Sequence, residues 1–233
     1  MNWTRTDAVR RWIVVAGLII GPVILVLSVA INFSGPSNSM RSDFDRMAEN
    51  PSLIVLEALL ETIGFMIVLA ALAGSTQALR SRGGALGTWG AALSIIGIVG
   101  FSFSNASGFT LAELAQLPDH DSTFATAMAL MSSDTAGTVG TIGMAMEALG
   151  QVGILLVIGG LIRARLVRIW PLLIVVVGIV VNVAIGMMVT TLIADLLLLA
   201  ACTWVGISLA RCSNEAWLGL PTFVPEKLTT VTA

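Results

Sequence analysis

Two glutamates one helical turn apart, Glu57 and Glu61, lie in the apolar stretch from Ser52 to Leu72. Carboxyl groups four residues apart on a helix lie on the same face. Such a pair can hold a proton, bind a cation between its oxygens, or donate a proton to a substrate. In a medium of low dielectric the two groups are not both ionised unless a counter-charge is present. This chemistry is unusual for a segment of otherwise apolar residues.

Other polar side chains interrupt the later apolar stretches at a similar depth. Glu147 and Gln151 form a second pair four residues apart, and Asn182 and Asp195 follow. Lysine, arginine and histidine do not occur in any of the predicted membrane spans to neutralise these acids. An acid-only set of this kind indicates bound protons, a cation, or hydrogen bonds to amides and hydroxyls.

We predict that four acids, Glu57, Glu61, Glu147 and Asp195, converge on one cavity that is open to the outer side. Catalytic roles are assigned to Glu57, Glu61 and Asp195, and ligand contacts to Glu147, Gln151, Asn182 and Trp204. The alternative is that each acid is capped separately by hydroxyl or backbone groups between helices.

The composition predicts an integral membrane protein, because the chain is 56% hydrophobic and only 11% charged. Six apolar stretches approach or exceed the roughly 20 residues that cross a bilayer as a helix. They cover residues 12–33, 52–78, 85–103, 139–162, 169–188 and 192–209. We therefore expect an all-α, six-helix transmembrane bundle over residues 1–210. An outer loop or lid is predicted over 104–138, whose two apolar stretches around Pro118 either extend the third and fourth helices above the membrane or form a short hairpin lid. A short cytoplasmic tail is predicted over 211–233.

The acids constrain which face of the second span points towards protein. A central Asp costs about 2.5–3.5 kcal/mol on insertion, so two glutamates treated alike cost about 5–7 kcal/mol. The twelve Leu, Ile, Val and Phe residues of Ser52–Leu72 favour insertion by roughly 4–7 kcal/mol. The balance is close to zero, which predicts that the acids face protein rather than lipid.

Arginines predict the orientation of the bundle. They precede the first span, follow the second, separate the fourth from the fifth and follow the sixth, whereas the opposite loops are mainly acidic. The positive-inside rule then places both termini in the cytoplasm and the protein in the inner membrane. No basic patch typical of nucleic-acid binding is present. The expected partners are membrane lipids and a hydrophobic small molecule, with no nucleic acid, and a homo-oligomer is left open.

Neither a cofactor nor a metal site is expected. Paired haem ligands are missing because the chain has a single histidine, His120, and its two cysteines, Cys202 and Cys212, do not form a C-x-x-C motif. The abundant glycines instead predict close contacts between helices. The glycines singled out by their spacing are Gly17, Gly21, Gly137, Gly140, Gly143, Gly150 and Gly153.

Two resemblances extend these expectations. The passage "LIRARLVRIWPLLIVVVGIV", which follows an acid-containing helix, resembles a widespread family of uncharacterised small six-helix bacterial membrane proteins. That resemblance covers most of the chain and implies fold and location. The layout is also similar to that of small integral-membrane terpene cyclases, with Glu57 or Glu61 in the second helix and Asp195 of "TLIADLLLL" in the last. This second resemblance implies protonation of a prenyl alkene or epoxide.

Two functional hypotheses follow, and a structural or regulatory membrane subunit is a third. In the first, Glu61 donates a proton to an isoprenoid-like substrate, Glu57 tunes it, and Asp195 is a second acid or the terminating base. In the second, the same carboxyl groups bind protons or a cation in a small transporter or channel subunit. The scarcity of polar residues in the inner half of the bundle favours the first hypothesis slightly.

Overall fold

A computed structural model describes residues 4–31, 39–80, 82–185 and 188–220. Within these ranges the chain is all-α and contains no strand. The helices are α1 (Arg5–Ile31), α2 (Met40–Glu49), α3 (Pro51–Ser75), α4 (Gly84–Ala115), α5 (His120–Met131), α6 (Asp134–Arg163), α7 (Trp170–Ile185), α8 (Met188–Arg211) and α9 (Asn214–Trp217), and a 3₁₀ turn, Thr76–Leu79, extends α3.

Five helices are long and apolar enough to cross a membrane, namely α1, α3 with its 3₁₀ turn, α4, α6 and α8. The prediction of spans is confirmed for these five. The sixth predicted span, over 169–188, contains the apolar helix α7 of 16 residues. At a rise of about 1.5 Å per residue α7 is about 24 Å long, shorter than a hydrocarbon core of about 30 Å. Residues 186 and 187 of this span lie outside the described ranges.

The stretch predicted as an outer loop or lid, 104–138, is mostly helical, and both of its ends extend the adjoining spans, as one of the two predicted alternatives has it. Helix α4 continues to Ala115 instead of ending at 103, α6 already begins at Asp134 instead of 139, and α5 lies between them. The starts of α5 and α6 are fixed locally, because the side chains of Asp119 and Ser133 accept hydrogen bonds from backbone N–H groups of the first turn. A further short helix, α2, occupies the connection before α3.

Helices α2 and α5 pack on the projecting end of α4 and form a small core of their own. Phe44, Ala115 and Ala127 are each less than 5% exposed. The Phe44 ring contacts the Phe124 ring at 5.4 Å between centroids. We call this part of the molecule the outer cap.

Asp45 ties the two helices of the outer cap together. Its Oδ1 accepts a hydrogen bond from His120 Nε2 at 2.7 Å and one from Arg41 Nε at 3.0 Å. The bond from His120, followed by that from Arg41, holds the pKa of Asp45 below its ordinary value. A carboxyl group whose pKa is lowered by folding stabilises the fold above its unfolded pKa, and this stabilisation is lost as the pH falls through the folded value.

We therefore expect Asp45→Asn to lower the melting temperature of the protein at any pH above the pKa of an unfolded aspartate, about 3.9. The difference from wild type should shrink as the pH falls below that value and vanish only below the lower pKa of Asp45 in the folded protein. The measurement is the melting temperature of both proteins across this pH range. Glu49→Gln, which changes an exposed acid of the same helix, is the control. A difference between Asp45→Asn and wild type that is constant with pH would contradict the assigned role.

Six helices form a closed ring. Around the ring, α1 packs on α3, α3 on α4, α4 on α6, α6 on α7, α7 on α8 and α8 again on α1. The α4–α6 and α1–α3 contacts are extensive, whereas α6 and α7 touch sparsely. The α7–α8 hairpin is therefore attached to the rest of the ring mainly through α1.

Glycines set the close approach of α4 to α6. A Cβ atom built on Gly97 would lie 2.4 Å from the Cα atom of Gly150, and one on Gly100 would lie 2.6 Å from the backbone nitrogen of Glu147. Backbone cannot move aside as a flexible side chain can, so only glycine permits this contact. The glycines predicted to make helix contacts divide into two groups. Close contacts are made by Gly17, Gly21, Gly150 and Gly153, and the Gly143 carbonyl oxygen lies against Gly100, whereas Gly137 and Gly140 have open space around them.

Replacing Gly97 by alanine should force α4 and α6 apart. We expect Gly97→Ala to destabilise the protein by about 1–3 kcal/mol, the usual range for overpacking. The control is Gly140→Ala, because a methyl group there meets no atom within 4 Å and should be neutral or stabilising by up to about 1 kcal/mol. Thermal unfolding in detergent compares the two. Equal shifts of the melting temperature would rule out a special role for the Gly97 contact.

The start of α1 and the end of α8 lie at the same end of the bundle, joined by Arg11. This side chain is 8% exposed. Its guanidinium donates to the carbonyl oxygens of Leu209, Ala210 and Cys212 at 2.9, 2.5 and 2.6 Å, and to Asn214 Oδ1 at 3.2 Å. Carbonyl groups at the end of a helix have no partner within the helix, and a cation also complements the helix dipole there.

Loss of this side chain should loosen the attachment of α8. We expect Arg11→Ala to cost about 3 kcal/mol of stability, because several hydrogen bonds from a charged donor are lost and buried acceptors remain. Arg10→Ala, which removes an exposed neighbour, should have little effect in the same thermal measurement. A similar loss for both substitutions would point to net charge rather than to these hydrogen bonds.

Candidate functional site

A cavity of about 120 Å³ lies inside the ring, and all six ring helices contribute to its wall. Carboxyl groups come from three of them: Glu61 from α3, Glu147 from α6 and Asp195 from α8. Further polar groups come from Gln151, Asn182 and Thr191. The described residues that line the cavity include no lysine, arginine or histidine. We call this space the carboxyl cavity.

The three acids lie at similar depths in the bundle. Glu147 and Asp195 each precede the terminal arginine of their helix, Arg163 or Arg211, by 16 residues. This spacing is a helix length of about 24 Å. Measured with the same rise, Glu61 lies about 27 Å from Leu79, the residue at which the extension of α3 ends. Because the hydrocarbon core is about 30 Å thick, the acids lie nearer the end that carries the outer cap.

Glu61 is positioned by a contact between α3 and α4. The side-chain amide of Asn105 lies near the Glu61 carboxyl group. The same amide nitrogen donates to Thr62 Oγ1 at 2.8 Å and to the Ala58 carbonyl oxygen at 3.3 Å. Asn105 was not predicted as a site residue because it falls just beyond the predicted end of its span. The length of α4 places it within the bundle.

The opposite wall is built by the α7–α8 hairpin. Thr191 Oγ1 donates a hydrogen bond to Asn182 Oδ1 at 3.3 Å and so links the two helices beside the cavity. Thr191 precedes Asp195 by four residues, which places both side chains on one face of α8. This spacing is a signal that could have identified Thr191 from the sequence.

Apolar side chains form the rest of the wall. The rings of Phe65 and Phe101 stack with their centroids 4.6 Å apart, and both line the cavity. Phe65 lies one helical turn after Glu61 on the same face of α3. Carboxyl groups and aromatic rings that line one cavity suit a positively charged ligand, since both attract cations.

The structure brings together most, but not all, of the predicted site residues. Glu61, Glu147, Gln151, Asn182 and Asp195 share the carboxyl cavity. Glu57 is partly buried one turn closer to the outer cap and does not line it.

Trp204 is also separate from the carboxyl cavity. It is 40% exposed and lines a different pocket at the basic end of the bundle. Nine residues of helix separate it from Asp195, or about 13 Å, too far for both to touch one small ligand.

The carboxyl cavity does not continue to the basic end. Beyond it the interior is filled by apolar side chains that have no solvent exposure, among them Val68, Leu72, Val157, Leu161 and Val205. A hydrophobic core of this kind excludes water and ions. The cavity is therefore closed on that side in the present conformation.

The acids are distributed around the wall of the cavity. Among the residues that the structure describes, no group of three or more histidine, cysteine, aspartate or glutamate side chains is placed to hold a metal ion. The arrangement suits protons held on individual carboxyl groups, or a hydrated or organic cation wide enough to reach separate parts of the wall.

Comparison with family models, with curated proteins and with solved structures found no match to this chain. The functional assignment accordingly depends on the geometry of the carboxyl cavity.

Proposed function

We propose that the chain is a membrane transport protein that exchanges protons for a small cation at the carboxyl cavity. The observation that carries this proposal is the convergence of Glu61, Glu147 and Asp195, from three helices, on one space whose described lining has no cationic side chain. Several carboxyl groups in a low dielectric are not all ionised without a counter-charge. Entry of a cation is therefore linked to release of protons, and acids inside a membrane bundle commonly mark such pathways.

The size of the cavity favours a small ligand. A protein cavity of about 150 Å³ holds a benzene molecule, and the carboxyl cavity has about 120 Å³. A sodium ion with a few waters, or a cation such as tetramethylammonium, is within this limit. An isoprenoid of about ten or more carbon atoms exceeds it by the same comparison. The cation proposal is therefore preferred to the cyclisation of a terpenoid.

The orientation follows from charge. Arginines flank the ends of α3, α6 and α8, and the Arg11 contacts place the start of α1 at that end too. We propose that this basic end faces the cytoplasm and that the outer cap faces outward. The apolar core then separates the cavity from the cytoplasm, so the described conformation would exchange ligand with the outer side or the bilayer.

Proton exchange can be tested in liposomes that contain purified protein and an internal pH-sensitive dye. An inward gradient of sodium or tetramethylammonium should raise the internal pH with the wild-type protein, because entering cations displace protons. With Glu61→Gln the change should fall to that of protein-free liposomes, since an amide neither binds nor releases a proton.

The matched control is Glu113→Gln, which changes an exposed glutamate of α4 outside the cavity and should leave exchange unchanged. Wild-type protein that behaves like protein-free liposomes for every cation would refute the proposal. Equal loss in both variants would show that the carboxyl cavity is not the site of exchange.

A second candidate is acid-catalysed isomerisation of an isoprenoid-like substrate. The stacked Phe65 and Phe101 rings favour it, because aromatic faces beside the Glu61 acid can stabilise a developing carbocation. Asp195, which lines the same cavity from α8, would accept the final proton. A new prenyl product that forms with wild-type protein and not with Glu61→Gln would support this candidate over cation exchange.

A further inference from the structure

A surface pocket, more open than the carboxyl cavity and separate from it, lies at the basic end of the bundle. Its volume is about 540 Å³, within the range of small-molecule sites. It lies between the turn that follows α6 and one face of α8. Two arginines, Arg165 and Arg168, line it together with Trp204, Ser208 and the apolar Ile162 and Leu166. We call it the arginine pocket.

The two arginines of this pocket carry uncompensated charge. Both side chains are exposed, and none of the ion pairs among the described residues involves either of them. Two guanidinium groups on one rim, without an acidic partner, are suited to an anion with several oxygen atoms, and phosphate is the common biological example.

The backbone at Arg165 supports a role for its side chain. Helix α6 ends in a turn in which the N–H of Leu166 donates to the Leu161 carbonyl at 3.0 Å and that of Arg165 to the Ile162 carbonyl at 2.9 Å. The residue after the cap of such a turn is usually glycine, because it adopts a left-handed conformation. Here it is arginine, with a φ of 61°. A residue held in an unfavourable conformation suggests that its side chain is needed.

The apolar part of the pocket indicates whether a suitable phosphate ligand belongs to a lipid or to a soluble molecule. Trp204 is 40% exposed on the face of α8 that points away from the bundle, and α8 is long and apolar enough to cross a membrane. Nearby, Ile169 and Trp170 are 51% and 53% exposed at the start of α7. Tryptophan at the end of a membrane span lies at the level of the lipid headgroups. The pocket is therefore at the edge of the bilayer, with basic groups towards water and apolar groups towards acyl chains.

We propose that the arginine pocket binds the phosphate headgroup of an anionic phospholipid. Arg165 and Arg168 contact the phosphate oxygens, and an acyl chain lies along Ile162 and Trp204. Basic pockets between membrane helices are suited to such headgroups. This proposal does not depend on the function assigned to the carboxyl cavity.

The test uses full-length protein in nanodiscs of phosphatidylglycerol and phosphatidylcholine in equal amounts, with the lipids that stay bound identified by native mass spectrometry. We expect phosphatidylglycerol to be enriched on the wild-type protein. Arg165→Gln or Arg168→Gln should reduce the enrichment about fivefold and the double variant about thirtyfold, from about 1 kcal/mol per arginine near a charged surface.

The matched control is the double variant Arg163→Gln/Arg211→Gln, which removes two exposed arginines at the same end that do not line the pocket. It should retain the enrichment. If this control loses as much phosphatidylglycerol enrichment as the double variant of Arg165 and Arg168, the lipid is attracted by general surface charge, and the proposed site is refuted. Absence of any enrichment on the wild type also refutes it.

A further variant separates binding from folding. Arg165→Gly should raise the melting temperature by about 2–4 °C, because glycine adopts a positive φ at little cost, and should still lose enrichment as Arg165→Gln does. Undiminished enrichment in Arg165→Gly would refute a role for this side chain. Competition by soluble glycerol phosphate distinguishes the source of the phosphate. If it displaces phosphatidylglycerol fully, the pocket recognises a soluble phosphate, and the lipid assignment is wrong.

Discussion

The close contact between α4 and α6 is the constraint on which the rest of the bundle depends. In lipid there is little hydrophobic force between helices, so they are held by packing and hydrogen bonds. Gly97 and Gly150 let the two backbones touch, and Gly100 lies against the backbone of Glu147. This contact fixes the rotation of α6 about its own axis. The Glu147 side chain consequently faces the interior of the ring rather than lipid, where its burial would be most costly.

The ring is held unevenly, which indicates where it can move. Glycine contacts lock α4 to α6 and α1 to α3, whereas α6 and α7 touch sparsely. Arg11 fixes the end of α8 at the basic end. The α7–α8 hairpin is therefore anchored at one end and lightly held along α6. Because Asn182 and Asp195 lie on this hairpin, a small tilt of it about the Arg11 contact would change the size of the carboxyl cavity.

Much of this architecture could be predicted from the sequence. Apolar length predicted six spans, five of which are helices long enough to cross a membrane. The insertion cost of the carboxyl groups predicted that the acids face protein rather than lipid. Spacing alone could not separate Glu61 from Glu57, because both lie on one face and only depth decides which of them reaches the cavity. In the outer cap, α2 was not predicted and α5 was not identified as a separate helix, because both are short and their stability comes from tertiary contacts such as that of Phe44 with Phe124.

The two proposed sites are the places where the sequence departs from what the local structure favours. A membrane helix is most stable without carboxyl groups, and the turn after α6 is most stable with glycine. Between the two sites the interior is filled by apolar side chains without solvent exposure, such as Val68, Leu72 and Val157. A residue whose type favours the local structure is explained by stability alone, whereas a residue whose type disfavours it is expected at a functional site. By this criterion Glu61, Glu147, Asp195 and Arg165 are the residues to examine, although only three of them share a cavity.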